Sequence, residues 1–154
     1  MNKFWTILFL VITYLAQAQE LPSEPVNSFV FPAGSKFVVK LIPTKAKNYD
    51  FTVLSIEPFD EIVDKWKLGE LFEKEGEENT IVFYFCLGTE GETLLLMKNY
   101  SDKALHYDLE IQLEKNGEFK SASNGGIFSS GTGMVTWSSM IYNIKLKKFR
   151  TPKR

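Results

Sequence analysis

The chain has 154 residues, 18 Lys and Arg against 19 Asp and Glu, a net charge of −1, one histidine and one cysteine. That balance excludes a general nucleic-acid binder, whose domain is basic overall, and one cysteine excludes an internal disulfide. The length is near the commonest size of a single domain, and 13 phenylalanines supply the bulky apolar groups typical of a β-rich core.

The N-terminus predicts a cleavable secretory signal. Lys3 precedes an apolar run from Phe4 to Leu15, and Ala16-Gln17-Ala18 supplies the small residues a signal peptidase needs. Cleavage after Ala18 makes Gln19 the first residue of the processed chain and, by removing Lys3, shifts the net charge to −2. The alternative, a retained anchor, is opposed by length, because a span takes about 20 apolar residues. Cys86 lies far from the cleavage site, so the residue that would be acylated in a lipoprotein is missing there. The expected location is secreted or periplasmic, with no membrane span in the processed chain. Residues 1–18 are then the signal, 19–27 a leader, 28–150 one domain and 151–154 a basic tail.

In chain order, strands are predicted at 28–31, 35–42, 50–57, 80–87, 92–98, 104–114 and 141–149, separated by turns rich in Pro, Gly, Asn and Asp. Residues 60–75 carry Ile62, Val63, Trp66, Leu68, Leu71 and Phe72 at roughly helical spacing, which predicts one short helix weakened at Gly69. The clearest strand sends Leu105, Tyr107, Leu109, Ile111 and Leu113 to one face and polar residues to the other. In contrast, 81–87 and 94–97 are apolar on both faces, so their outer side needs a cover. The 60–75 segment is one candidate and a second subunit or partner is the other. About seven short strands at this spacing predict an all-β, immunoglobulin-like antiparallel β-sandwich. The stretch from Thr93 to Tyr107, an apolar strand, a Lys-Asn turn and a Leu-x-Tyr strand, resembles small exported bacterial immunoglobulin-like sandwich proteins, a resemblance that implies no activity.

Candidate chemistry is sparse. His106, Asp108 and Glu110 alternate along one polar strand face, about 6.5 to 7 Å apart, and are the weak candidate for a metal site, with an ordinary solvated face as the plainer reading. Nucleophilic catalysis lacks a second histidine, and Cys86 sits in an apolar strand as a buried small hydrophobe would. The 124–137 stretch has neither the Gly-Lys-Ser/Thr ending of a P-loop nor the third glycine of a dinucleotide fingerprint, so no cofactor is expected. It reads as a long flexible connection whose Ile127, Phe128, Met134 and Trp137 either contact a ligand or fold back on the core. Asn99-Tyr100-Ser101 matches a glycosylation acceptor or is simply a turn. Six bases and no acid occupy 145–154, so Lys145 and Lys147 either meet an anionic surface or protect an edge strand. The function these features favour is an exported, non-catalytic module acting by surface contact with an envelope or extracellular protein or glycan. Two readings stand beside it: a carbohydrate-active or metal-dependent enzyme using surface carboxylates, and a structural subunit assembling through the doubly apolar strands.

Overall fold

The strand-forming pattern is carried through the backbone: a computed structural model describes residues 19–122 and 124–153, and in it eleven strands join one hydrogen-bonded sheet. The expected signal peptide, residues 1–18, lies outside the described residues. The strands are β1 (Ser28–Pro32), β2 (Ser35–Pro43), β3 (Asn48–Pro58), β4 (Ile62–Val63), β5 (Thr80–Gly88), β6 (Thr93–Asn99), β7 (Leu105–Gln112), β8 (Phe119–Ser121), β9 (Gly125–Ile127), β10 (Thr132–Trp137) and β11 (Asn143–Arg150). The sheet runs β10-β6-β5-β2-β3-β11-β7-β8, with β1 on β11, β4 on β5 and β9 on β7. Among the described residues only the two-residue β4 pairs in parallel.

All seven expected strands are present within a few residues of their predicted ends. The other four were hidden because β4, β8 and β9 are two or three residues long and β9 and β10 begin in glycine-rich sequence. The stretch 124–137 is therefore no long flexible connection but two strands and the turn between them. The class is all-β and antiparallel. Its ladder is continuous from β10 to β8 and curls as a half-barrel, whereas an immunoglobulin-like sandwich divides its strands between two sheets. No helix among the described residues is long and apolar enough to cross a membrane.

One face of the curl closes on the core, with Phe37, Val39 and Leu41 of β2, Phe51 and Val53 of β3, Phe83 and Phe85 of β5, and Leu105, Tyr107 and Leu109 of β7 all buried. Phe31 of β1 stacks on Phe37 of β2 with ring centroids 3.8 Å apart, and Phe37 stacks on Phe83 of β5 at 4.8 Å. This column ties the limb containing β1 and β11 to the limb containing β2 and β5. Opposite it, Phe149 of β11 meets Phe51 at 5.4 Å and Tyr107 at 5.5 Å.

The outer face of β5 and β6 is covered by the chain's own 59–72 segment. Val63, Tyr84, Cys86, Leu94 and Leu96 form a second buried cluster against Phe59, Leu68, Leu71 and Phe72. Tyr84 receives Phe59 and Phe72 edge-on at 4.8 and 5.3 Å. The helical part is shorter than the spacing predicts: a single 3-10 turn (Lys65–Lys67) leads into α1 (Leu68–Leu71), four residues long. The Asp64 carboxylate caps the turn by accepting from the Trp66 amide at 3.0 Å.

Tyr107 fixes how β9 approaches. Its fully buried ring lies against Gly125, where an added Cβ would sit 2.0 Å from the ring, and its hydroxyl donates to Met97 Sδ at 3.1 Å. Gly125→Ala forces this contact apart and is expected to cost about 1–3 kcal/mol in urea unfolding. Gly126→Ala, whose Cβ meets His106 only at an ordinary 3.5 Å, is the control that leaves stability nearly unchanged.

Candidate functional site

Strand alternation puts His106, Asp108 and Glu110 on the outer face of β7, and the β7–β11 register sets Arg150, Lys147 and Lys145 opposite them in that order. Lys145 Nζ lies 3.0 Å from Glu110 Oε2, and Lys147 Nζ donates to Glu110 Oε1. Arg150 Nη1 lies 2.9 Å from Asp108 Oδ1, with Lys148 Nζ 3.7 Å from Asp108 Oδ2. The Glu110 carboxyl is held below the ordinary glutamate range by the Lys147 hydrogen bond first and the Lys145 one second, against partial desolvation. Both carboxylates of the metal candidate are thus committed to the protein's own cations. Among the described residues no group of three or more His, Cys, Asp and Glu is placed to hold a metal ion.

Edge protection does not explain the lysines, because β11 is an interior strand. It has β7 on one side, and on the other β1 along residues 143–147 and β3 at Phe149 and Arg150. The change of partner occurs at a bulge where Lys148 adopts φ 55 and its amide donates to Asn27 O at 3.2 Å. After the bulge Arg150 is again on the outer face, beside His106.

The C-terminal residues continue from there along the 44–48 turn. Ala46 and Lys47 both have positive φ, 56 and 65, and the Thr151 amide donates to Lys47 O at 3.0 Å. The result is an open depression of about 520 Å³ bordered by Lys47, His106, Arg150, Pro152 and Lys153. A second depression of about 220 Å³ shares His106 and Pro152 with it and ends at Phe128. The tail's bases were visible in the sequence; that they meet Lys47 was not, since the long-range pairing of β11 with β3 at Arg150 and Asn48, extended by the 151-to-47 backbone bond, brings the two segments together.

Phe128 is 80% exposed, yet its backbone is fixed. Asn99, fully buried, donates through Nδ2 to Phe128 O at 3.0 Å and Lys103 O at 2.8 Å, and its Oδ1 accepts from Ser101 N at 3.0 Å and Ser101 Oγ at 2.7 Å. Both donors and both acceptor sites of the amide are satisfied inside the turn. The asparagine of the Asn99-Tyr100-Ser101 motif is therefore enclosed rather than presented to solvent. The Ser130 amide donates to Ser101 O at 3.0 Å, completing the latch on the loop that carries Phe128.

The structure thus gathers His106, Asp108, Glu110, Lys145, Lys147 and Phe128 on one side and leaves Trp137 elsewhere. Trp137 ends β10 half-buried against the core, while Ile127 is buried and Met134 exposed. Ala16 and Ala18 of the expected cleavage site lie outside the described residues; Gln19, which is described, donates through Nε2 to Val30 O at 3.1 Å. Cys86 is 3% exposed, and burial pushes its thiol up to about 11, so it is mostly protonated at neutral pH. It faces an apolar recess of about 250 Å³ between the 59–61 segment and Met140.

Two outcomes follow from this geometry. Asn99→Ala strands the Ser101 and Phe128 partners, costs about 1–3 kcal/mol in unfolding measurements and speeds amide exchange at Ser130. Glu110, with a folded pKa below its unfolded value of about 4.3, stabilises the fold above that value, and the contribution disappears as pH falls through the lower folded value. Glu110→Gln should lower stability near neutral pH and converge with the parent chain in acid, as read from urea unfolding across pH. Compared with protein-family models, with curated proteins and with solved structures, the chain matches none, and the reading of this face rests on its geometry.

Proposed function

We propose that the chain is an exported, non-catalytic interaction module that acts by contact with an anionic partner in the cell envelope or outside the cell. The curled sheet, its two limbs packed across one core much as the layers of a sandwich are, is the scaffold for that contact. Export rests on the pattern of Lys3, the apolar run and Ala16-Gln17-Ala18. The observation that carries the binding role is the excess of cations on one rigid face: Lys145, Lys147, Lys148 and Arg150 against Asp108 and Glu110, extended by Lys47 and Lys153 toward exposed Phe128.

The acids of 57–78 are nearly all exposed, and they lie on and around the cover of the other limb. The molecule is thus polar in charge although its net charge is near zero, an arrangement that steers an anion to one side. Phe128 adds apolar contact beside that charge. Support for an enzyme is weak in the same geometry, since the thiol is buried and both carboxylates of the β7 row are paired with bases.

The processed chain should bind heparin, used as a polyanion probe, at low salt and release it as salt rises and screening shortens to about 10 Å at 0.1 M. Lys47→Glu combined with Lys153→Glu should weaken binding about tenfold, near 1.4 kcal/mol. Phe128→Ala should weaken it without changing the salt dependence. Absence of binding at low salt overturns the reading.

A further inference from the structure

Strand β10 is one end of the sheet path, and its residues Thr132-Gly133-Met134-Val135-Thr136-Trp137 contain no charge and no proline. Edges of this kind invite pairing, and proteins ordinarily blunt them with Lys, Pro or a covering segment. The direction of each backbone group follows from the register. Thr132 faces Lys98, and one step further the Asn99 amide donates to Gly131 O at 2.9 Å, which makes 131 and 99 a hydrogen-bonded pair. Pairs alternate along an antiparallel ladder, so Gly133, Val135 and Trp137 bond to β6 while the N–H and C=O of Thr132, Met134 and Thr136 point to the open side. Among the described residues no strand pairs with that side of β10, and these three residues are exposed.

We infer that this edge pairs with the same edge of a second copy of the chain, antiparallel about a two-fold axis at Met134. The sequence is self-complementary in that register. Met134 meets Met134 of the second copy, and Thr132 meets Thr136 in both directions. Each of these is a hydrogen-bonded pair that exchanges both N–H···O bonds, so every outward group of 132, 134 and 136 is satisfied. On the outer face the pairing sets Thr beside Thr and Met on Met, both favourable cross-strand combinations. On the inner face Val135 lies opposite Gly133 and Trp137 opposite Gly131 of the second copy, a small residue across from each large one. No like charges face each other, and the closed, isologous contact stops at two chains.

The other end of the sheet does not share these properties, since β8 is three residues long and carries Lys120. The basic side chains proposed to bind an anion lie on β7 and β11, neither of which neighbours β10 in the sheet, while Phe128 precedes β10 and borders the pairing.

The test is mass by light scattering and amide exchange on the processed chain across a concentration series. The expected result is a mass of two chains, with the amides of 132, 134 and 136 gaining protection as concentration rises while those of 133, 135 and 137 are protected throughout. Met134→Lys, whose side chain is exposed, sets ammonium against ammonium at the axis and should raise the dissociation constant at least about tenfold. Met134→Pro removes an outward N–H that the chain's own ladder does not use, and should give a single-chain mass with the far-ultraviolet spectrum retained. If Met134→Pro fails to fold, Met134→Lys decides alone. A parent chain that stays monomeric at every concentration overturns the inference, as does a dimer that Met134→Lys leaves intact.

Discussion

The stack of Phe31 on Phe37 is the contact on which the rest of the structure depends. β1 is hydrogen-bonded to β11 and β2 to β5, so these rings meet across the interior of the curl, not along a ladder. No disulfide joins the limbs, and the chain itself crosses between them only at short connections such as Ala33-Gly34 between β1 and β2. Aromatic pairs contribute about 0.5–1.5 kcal/mol beyond the area they bury, and here three join end to end from Phe29 to Phe83. Once the limbs are fixed by this column, inward side chains of β3, β7 and β11 have a common interior to fill. Their alternate residues must then form the outer faces.

Those faces acquire opposite character because the chain treats them differently. Tyr84, Cys86, Leu94 and Leu96 are too apolar to face water, so 59–72 folds over them and takes its acids outward with it. The β7–β11 face is polar from the start and needs no cover. Its arrangement depends on the Lys148 bulge, which lets β11 leave β1 and join β3 while returning Arg150 to the side of His106. A straight β11 would put residue 150 on the core face, because side chains alternate with a period of two and the bulge inserts one residue.

Much of this was legible in the sequence. Leu105, Tyr107 and Leu109 alternate strictly and are buried as expected, whereas Ile111 is half-buried and Leu113 lies past the end of β7 and is exposed; the doubly apolar β5 and β6 announced a cover that the chain itself supplies. β2 was harder, since Val38 breaks the pattern, yet Phe37, Val39 and Leu41 still turn inward. What stayed hidden was non-local. Gly125 reads as a loop residue until Tyr107 is seen to occupy the space a Cβ would take. Lys145 and Lys147 look like an edge pattern because nothing in their own segment reveals that β1, over a hundred residues earlier, pairs with that strand. The depression at His106 joins residues 47 and 151 at the end of the β3–β11 pairing, a long-range contact that leaves no trace in either segment alone.

The way the faces are used also determines where a second chain can attach. On the outer face of the doubly apolar strands, Tyr84 and Cys86 of β5 and Leu94 and Leu96 of β6 already pack against the chain's own Phe59, Leu68, Leu71 and Phe72. The acidic cover and the basic β7–β11 face each repel their own copy. β8 is too short to template a partner strand. On the β10 side of the half-barrel, backbone groups, not side-chain charges, set the preference. Continuous ladder pairing and an incomplete curl belong together: a sheet that closed fully would have no edge to offer, and one covered at β10 would have no reason to lack lysine there.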